Sequence, residues 1–307
     1  MIIGGALVGA LSVVRSPVLR SRGAGLFSFS VAVASLYLHA NLPIFRPMDN
    51  SRIVYTTGDR RATITLNRPA KRNALDDVMV KELTSAFAAA AKDPVVKVIV
   101  LAAAGPVFCA GADLEYMNRV AKFDHEENRA DSLRLAHLLR LIYEVRKPVI
   151  ALVRGAALAG GCGLASSCDF IIASEENARF GFTEVRIGFI PALVMVFLTK
   201  RIGEGRAREM VLRGNIIDAR EALRFGLVSL VVPDADLESS ADALIAELLT
   251  QNSLNAMGLC KEMLSKLQGM NLIDALDFAA NMNAAARMTP DCRQGVAAFL
   301  NKEKITW

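Results

Sequence analysis

The sequence predicts an α/β fold that passes into a mostly helical C-terminal region, and three observations carry that prediction. Two apolar runs rich in β-branched residues, 95–102 and 149–153, have the length and composition of strands buried on both faces. Small-residue turns follow each run and open helices, at residues 105–115 and at Gly160 and Gly161. From 237 to 300 the apolar spacing is mostly that of helices.

In chain order, residues 52–56 and 62–66 alternate apolar and polar side chains on either side of Gly58 and Asp59, which reads as an antiparallel hairpin. A turn over 67–75 leads into a helix at about 76–91, with Asp76 or Asp77 near its N-cap. After the strand at 95–102 comes a turn around Gly111, with Asp113 in the first helical turn, where the dipole favours a carboxylate. Residues 125–146 place Leu133, Leu135, Leu138, Leu139, Leu141 and Ile142 at spacings that suit a helix packed on a sheet. The strand at 149–153 runs through a small-residue turn into the next helix, and right-handed crossovers are expected. Short strands at 170–173 and 179–182 precede Glu184, an acid in apolar company. Helices at 192–202, 206–212 and 219–225 and a last strand at 228–232 complete the α/β part, with no repeat of solenoid period.

With 307 residues, 53% of them hydrophobic and 22% charged, the chain can bury a substantial core. Its net charge of +5 is misleading, because Arg15, Arg20, Arg22 and Arg46 are the only charged side chains before Asp49; without these four the remainder carries +1. A nucleic-acid partner is therefore not expected. Residues 1–47 combine apolar runs with arginine and serine and lack acids, which reads as a leader, a transit peptide or an extension upstream of a start at Met48. Their apolar runs are too short or too interrupted to give a stable membrane span. Five cysteines and three histidines show no metal-ligand spacing, so no metal is expected. The odd cysteine count suggests reduced thiols within a cell, and Cys162, with no histidine nearby, reads as a packing residue.

Chemically, the turns at Ala112 and Gly160 each present backbone N–H groups at a helix start, and Glu184 is an isolated carboxylate. Two N–H donors can hold the oxygen of a thioester as its carbonyl becomes an enolate, while a desolvated carboxylate moves protons on and off the adjacent carbons. Burial would raise the pKa of Glu184 and make it the better base. Taken singly, each feature has a plainer explanation: glycine for close packing, and a capping or ion-paired acid.

The stretches Leu66-Asn-Arg-Pro and Arg72-Asn-Ala-Leu75, Phe108-Cys-Ala-Gly-Ala-Asp-Leu114, Ala159-Gly-Gly-Cys-Gly-Leu-Ala165 and Phe180-Gly-Phe-Thr-Glu-Val-Arg-Ile-Gly188 resemble the enoyl-CoA hydratase/isomerase, or crotonase, superfamily. The final Asp291-Cys-Arg-Gln-Gly-Val-Ala-Ala-Phe-Leu300 is similar to that family's last helix, and the motifs run in order from about Ile53 to Trp307. The resemblance implies an α/β spiral of β-β-α units over 48–245 and a helical trimerisation region over 246–307. It implies homotrimers or dimers of trimers acting on acyl-CoA, with no cofactor beyond the coenzyme A of the substrate. By position, Ala112 and Gly160 would form the oxyanion hole and Glu184 the acid/base. Arg72 and Ala74 would lie along the coenzyme A, with Ala110, Asp113 and Leu114 flanking its adenine and pantetheine; Arg72 also reads as a solvated surface charge.

One departure bears on the reaction. Hydratases of this family commonly hold water between two glutamates, and the first of those positions is Gly163 here. The run around Glu184, beside the glycine turn, nevertheless looks like a subgroup of bacterial enoyl-CoA hydratases. The expectation is therefore hydration of an enoyl-CoA, with double-bond isomerisation by Glu184 alone as the alternative, and acyl-CoA or RNA binding without chemistry as the reading from another class. A hydrolase is disfavoured because Ala192, and not an aspartate, follows Pro191. Glu115 and Glu144 read as exposed helix charges and Asp169 as a capping or paired acid. The compartment expected is the cytoplasm for a bacterial source and the mitochondrion for a eukaryotic one.

Overall fold

The chain's first described elements, β1 (Ile53–Gly58) and β2 (Arg61–Leu66), pair antiparallel from Ile53↔Leu66 to Gly58↔Arg61. The turn is Asp59-Arg60, both at positive φ (50° and 62°), so Gly58 ends a strand where the sequence placed it in the turn. This is a computed structural model describing residues 52–307, and the expected leader at 1–47 lies outside the described residues.

After β2 the chain climbs in a spiral whose turns each contribute one strand to each of two sheets. The first sheet orders as β1-β2-β3 (Val98–Ala103)-β5 (Val149–Val153)-β7 (Phe170–Ser174)-β10 (Leu230–Val232), parallel from β2 to β10. The second orders as β4 (Val107–Cys109)-β6 (Ala156–Leu158)-β8 (Arg179–Gly181)-β9 (Ile216–Asp218), antiparallel only at β9. The predicted α/β class therefore holds. The turn expected after 153 contains β6, and β9 stands where no strand was expected; at three residues each, neither is long enough to show a period.

Helices close each turn: α1 (Asp77–Lys92), α2 (Leu114–Val120), α3 (His125–Glu144), α4 (Gly160–Ser166), α5 (Ala192–Arg213) and α6 (Ala219–Arg224). Asp76 caps α1 by accepting from the Met79 N–H, and Asp124 with Glu127 forms a capping box on α3. Of the six apolar residues read as the packing face of α3, Leu138, Leu139 and Ile142 are buried whereas Leu133 is 51% exposed. The two helices expected at 192–202 and 206–212 form one element broken at Gly203, whose φ of 74° and ψ of 163° leave the helical region.

The first sheet is buried on both faces, which explains why β3 reads as continuous apolar sequence. Ile99 and Leu101 join the main core with Phe87, Phe108, Leu138, Phe180 and Leu198, while Val98 and Val100 face Ala241, Ile245 and Leu248 of α7 (Leu237–Gln251). Residue 246, the expected boundary of the C-terminal region, thus falls inside a helix packed on the sheet, and the remaining helices begin at α8 (Leu254–Leu267). Lys261 of α8 is 2.6 Å from Asp169, whose carboxylate also accepts the Val149 N–H at 2.7 Å. This is the pairing expected of Asp169. Burial raises its pKa and Lys261 opposes the rise. Beyond it, α9 (Leu272–Arg287) and α10 (Pro290–Asn301) leave Leu272, Ile273, Leu276, Phe299 and Leu300 exposed. Among the described residues no helix is long and apolar enough to cross a membrane.

Candidate active site

Register in the second sheet assembles the candidate site. Cys109 of β4 pairs with Ala157 of β6, and Ala157 pairs with Phe180 of β8. Ala112 and Gly160 each lie three residues beyond their paired position, and Glu184 lies four beyond. Parallel strands stand about 4.8 Å apart, so the three residues leave the carboxyl ends of adjacent strands side by side, the place where parallel α/β sheets bind ligands.

The first turn is held open by an isolated bridge between Leu75 and Ala112. Leu75 N–H donates to the Gly111 carbonyl at 2.7 Å and Asp113 N–H to the Leu75 carbonyl at 2.8 Å, so the Ala112 N–H points away from Leu75. Gly111 makes this turn possible, because its φ is +94° and a Cβ there would sit 2.8 Å from the Ala159 Cβ. The second turn abuts the first: that same Cβ would be 3.6 Å from the Gly160 nitrogen. Ala159 is held at φ 50°, ψ −123°, a strained conformation for alanine that sets the plane of the peptide carrying the Gly160 N–H. Its own N–H donates to the Gly181 carbonyl at 2.8 Å, joining this turn to the end of β8. Gly160 is the first residue of α4, where a backbone N–H has no intrahelical acceptor.

Glu184 opens a 3-10 turn (Glu184–Ile187) and is 9% exposed, with Oε2 buried and lacking any hydrogen-bond partner. Burial raises its pKa above the ordinary glutamate value of 4.5, and a hydrogen bond from its own backbone N–H offsets part of the rise. The expected desolvated carboxylate is therefore present. Glu115 and Glu144 are the exposed helix charges they were read as, paired at the surface with Lys71 and Arg140. Burial pushes the Cys109, Cys162 and Cys168 thiols up to about 12, which keeps them protonated and fits Cys162 as a packing residue. Among the described residues no group of three His, Cys, Asp or Glu side chains is placed to hold a metal.

Gly163 is buried in α4 against α5. A Cβ added there would lie 2.7 Å from the Val194 Cβ and closer still to Cγ1. Val194, itself 4% exposed, thus occupies the space into which any side chain at 163 would project. The missing acid is matched by a filled volume, a relation invisible from spacing alone.

The residues expected along a substrate divide into two groups. Arg72 and Leu114 are exposed, Arg72 at φ 52° with its carbonyl accepting the Ala110 N–H at 3.1 Å. Ala74 is buried and gives its carbonyl to Arg68 at 2.8 Å. Asp113 is the N-cap of α2, one residue earlier than expected, and both its oxygens are engaged: Oδ1 with the Tyr116 N–H at 3.0 Å and Oδ2 with Arg68 at 3.1 Å. Its burial would raise the pKa, but the Tyr116 N–H and the Arg68 guanidinium outweigh this and hold it below the usual value. Sequence reading placed Arg68 and Asn73 in the motif stretches but gave neither side chain a role. Asn73, fully buried at φ 53°, accepts the Arg68 N–H at 2.7 Å and donates to the Ala104 and Val107 carbonyls at 2.9 and 2.8 Å. Arg-then-Asn in a loop signals only a turn; burial turns the pair into scaffolding.

A two-sheet spiral with paired N–H turns and one desolvated carboxylate at the strand ends defines a class of fold and site, and comparison supplies the family. The chain belongs to the enoyl-CoA hydratase/isomerase family, whose model matches residues 59–307. A Thermus thermophilus relative whose name places it among the enoyl-CoA hydratases is 42% identical over 241 residues, spanning 78% of this chain and 94% of its own. A Syntrophomonas wolfei relative named crotonyl-CoA hydratase is 32% identical across 85% of this chain and 99% of its own. The crystal structure of an enoyl-CoA hydratase from Mycobacterium smegmatis superposes with a TM-score of 0.78 at 32% identity, covering 83% of this chain and 98% of that one.

Proposed function

We propose that the protein adds water across the double bond of an enoyl-CoA thioester. The thioester oxygen takes the N–H groups of Ala112 and Gly160, which stabilise the charge that develops there as the enolate forms. Glu184 accepts a proton from water as the hydroxyl bonds to the β-carbon, and returns it to the α-carbon as the enolate collapses. No cofactor of the protein's own enters the reaction. Arg72, Ala74, Ala110 and Leu114 flank the coenzyme A, while Asp113 serves through its backbone and its cap. The observation that carries this reading is the buried Oε2 of Glu184, a desolvated carboxylate oxygen without a hydrogen-bond partner.

A second reading has its own observation. Val194 against Gly163 leaves one carboxylate where a water-holding pair would need two. One carboxylate suffices to carry a proton from the α-carbon of a 3-enoyl-CoA to its γ-carbon, which shifts the double bond. Assaying the protein with crotonyl-CoA and a 3-enoyl-CoA side by side separates the two. Hydration of crotonyl-CoA is expected; isomerisation without hydration would reverse the order, and neither reaction would sink both readings.

The apolar residues left exposed on α9 and α10 support assembly as a homotrimer or a dimer of trimers, which light scattering on the purified protein would test. The compartment proposed is the cytoplasm of a bacterial cell or the mitochondrion of a eukaryotic one.

A further inference from the structure

We infer that Arg68 is a positioning residue that sets the direction of the Ala112 N–H by clamping both sides of the Leu75–Ala112 bridge. That bridge stands alone, outside either sheet, and rests on two hydrogen bonds. Arg68 reaches the residue that follows each of its members: its guanidinium is 3.1 Å from Asp76 and 3.1 Å from Asp113. Nη1 also donates to the Ala74 carbonyl at 2.8 Å, so residues on both sides of Leu75 are held. Side-chain exposures of 11%, 9% and 6% for Arg68, Asp76 and Asp113 put this fork in a largely water-free setting, where the charge-assisted hydrogen bond to Asp113 and the ion pair with Asp76 are stronger than at the surface.

The clamp is itself rigid. The Arg68 N–H is fixed by Asn73 at 2.7 Å and its carbonyl accepts the N–H groups of Lys71 and Asn73, both at 2.9 Å. Asp76 and Asp113 spend their other oxygens capping α1 and α2, on the Met79 and Tyr116 N–H groups. Asp76 Oδ2 is shared with Arg52, whose Nε is 3.2 Å away, whereas Arg68 is the cation on Asp113 Oδ2. Without the guanidinium, Asp113 would be a buried carboxylate short of its charge partner, and relieving that cost moves the segment carrying Ala112. A donor displaced by about 1 Å can cost on the order of a hundredfold in rate.

The inference rests on the proposed role of Ala112 as an oxygen-holding donor, and its test separates the two. Arg68→Lys and Asp113→Asn are measured with crotonyl-CoA for kcat and KM, and by infrared difference spectroscopy of the thioester carbonyl of crotonyl-CoA bound in a Glu184→Gln background. Lysine keeps the charge but cannot fork to two carboxylates; asparagine keeps the cap on α2 but drops the charge that Arg68 holds. Arg68→Lys is expected to lower kcat by about tenfold or more with KM within about threefold, because a transition-state donor is lost while ground-state binding persists. The carbonyl band is expected to move back toward that of free crotonyl-CoA. Asp113→Asn, which keeps the cap on α2, is expected to show the same pattern in smaller degree. Unchanged kcat and an unmoved carbonyl band in both variants, with only a lower melting temperature, would overturn the inference and leave Arg68 a structural residue. A wild-type protein that does not turn over crotonyl-CoA, together with a Glu184→Gln single variant that leaves the carbonyl band at its free position, would instead overturn the reading of Ala112 itself.

Discussion

Gly163→Ala offers a sharp test of how α4 and α5 share space, because two general effects oppose each other there. Alanine in a helix is favoured over glycine by about 1 kcal/mol, so propensity alone predicts stabilisation. The added methyl would lie 2.7 Å from the Val194 Cβ, however, and overpacking a filled core costs about 1–3 kcal/mol. α4 cannot retreat, since Gly161 on its other side is already packed against Cys109. Overpacking should outweigh propensity, with a net loss of up to about 2 kcal/mol and, at about 2–4 °C per kcal/mol for a chain of this size, a melting temperature lower by several degrees. Val194→Ala alone costs about 2 kcal/mol through its cavity. Combined, the two should recover stability, with a coupling of at least about 1 kcal/mol in a double-mutant cycle read by thermal denaturation. A Gly163→Ala protein that melts higher than wild type, or strict additivity in the cycle, would refute the claim that Val194 fills the position. The same pair opens a functional experiment: Gly163→Glu with Val194→Ala is expected to raise hydration of crotonyl-CoA relative to 3-enoyl-CoA isomerisation, whereas Gly163→Glu alone misfolds or loses activity.

Three further expectations follow from the same structure. Burial raises the pKa of Glu184, so the stability cost of its ionised form is relieved below the unfolded value of about 4.5 and is felt in full once pH passes the raised folded value; Glu184→Gln should therefore melt above wild type near pH 8, by a margin that shrinks as pH falls. Asn73→Ala removes three hydrogen bonds from a fully buried turn and takes a donor from both the Ala104 and Val107 carbonyls, a loss of about 2–4 kcal/mol in denaturant unfolding, and the strained φ adds to it. Lys261→Met strips Asp169 of its partner and loosens α8; because Asp169 keeps some solvent contact the loss is expected near 1–3 kcal/mol, with faster amide exchange across residues 254–267.

The strands at β3 and β5 were legible because burial on both faces demands continuous β-branched sequence, and α1 because Asp76 offers a capping carboxylate at the right place. What escaped was whatever depends on the third dimension. β6 and β9 are three residues each and owe their existence to the neighbouring strand. Leu133 shares the apolar spacing of α3 yet lies off the face that meets the core. In the site, Glu184 and the two turns could be placed by motif and by chemistry. Arg68 could not, because a loop arginine reads as a solvated charge until two carboxylates are found beside it. Gly163 was legible as an absence, but only the direction of its missing Cβ reveals that Val194 has closed the gap.

The central claim is that one carboxylate, Glu184, carries the proton beside two N–H donors. Its most direct test is kcat for crotonyl-CoA hydration by purified Glu184→Gln, a near-isosteric change that keeps the pocket filled but removes the base. General acid–base catalysis contributes about 10²–10⁴-fold, so kcat is expected to fall by at least about a hundredfold with KM changed by no more than a few fold. A variant that retains kcat within about threefold of wild type would contradict the account.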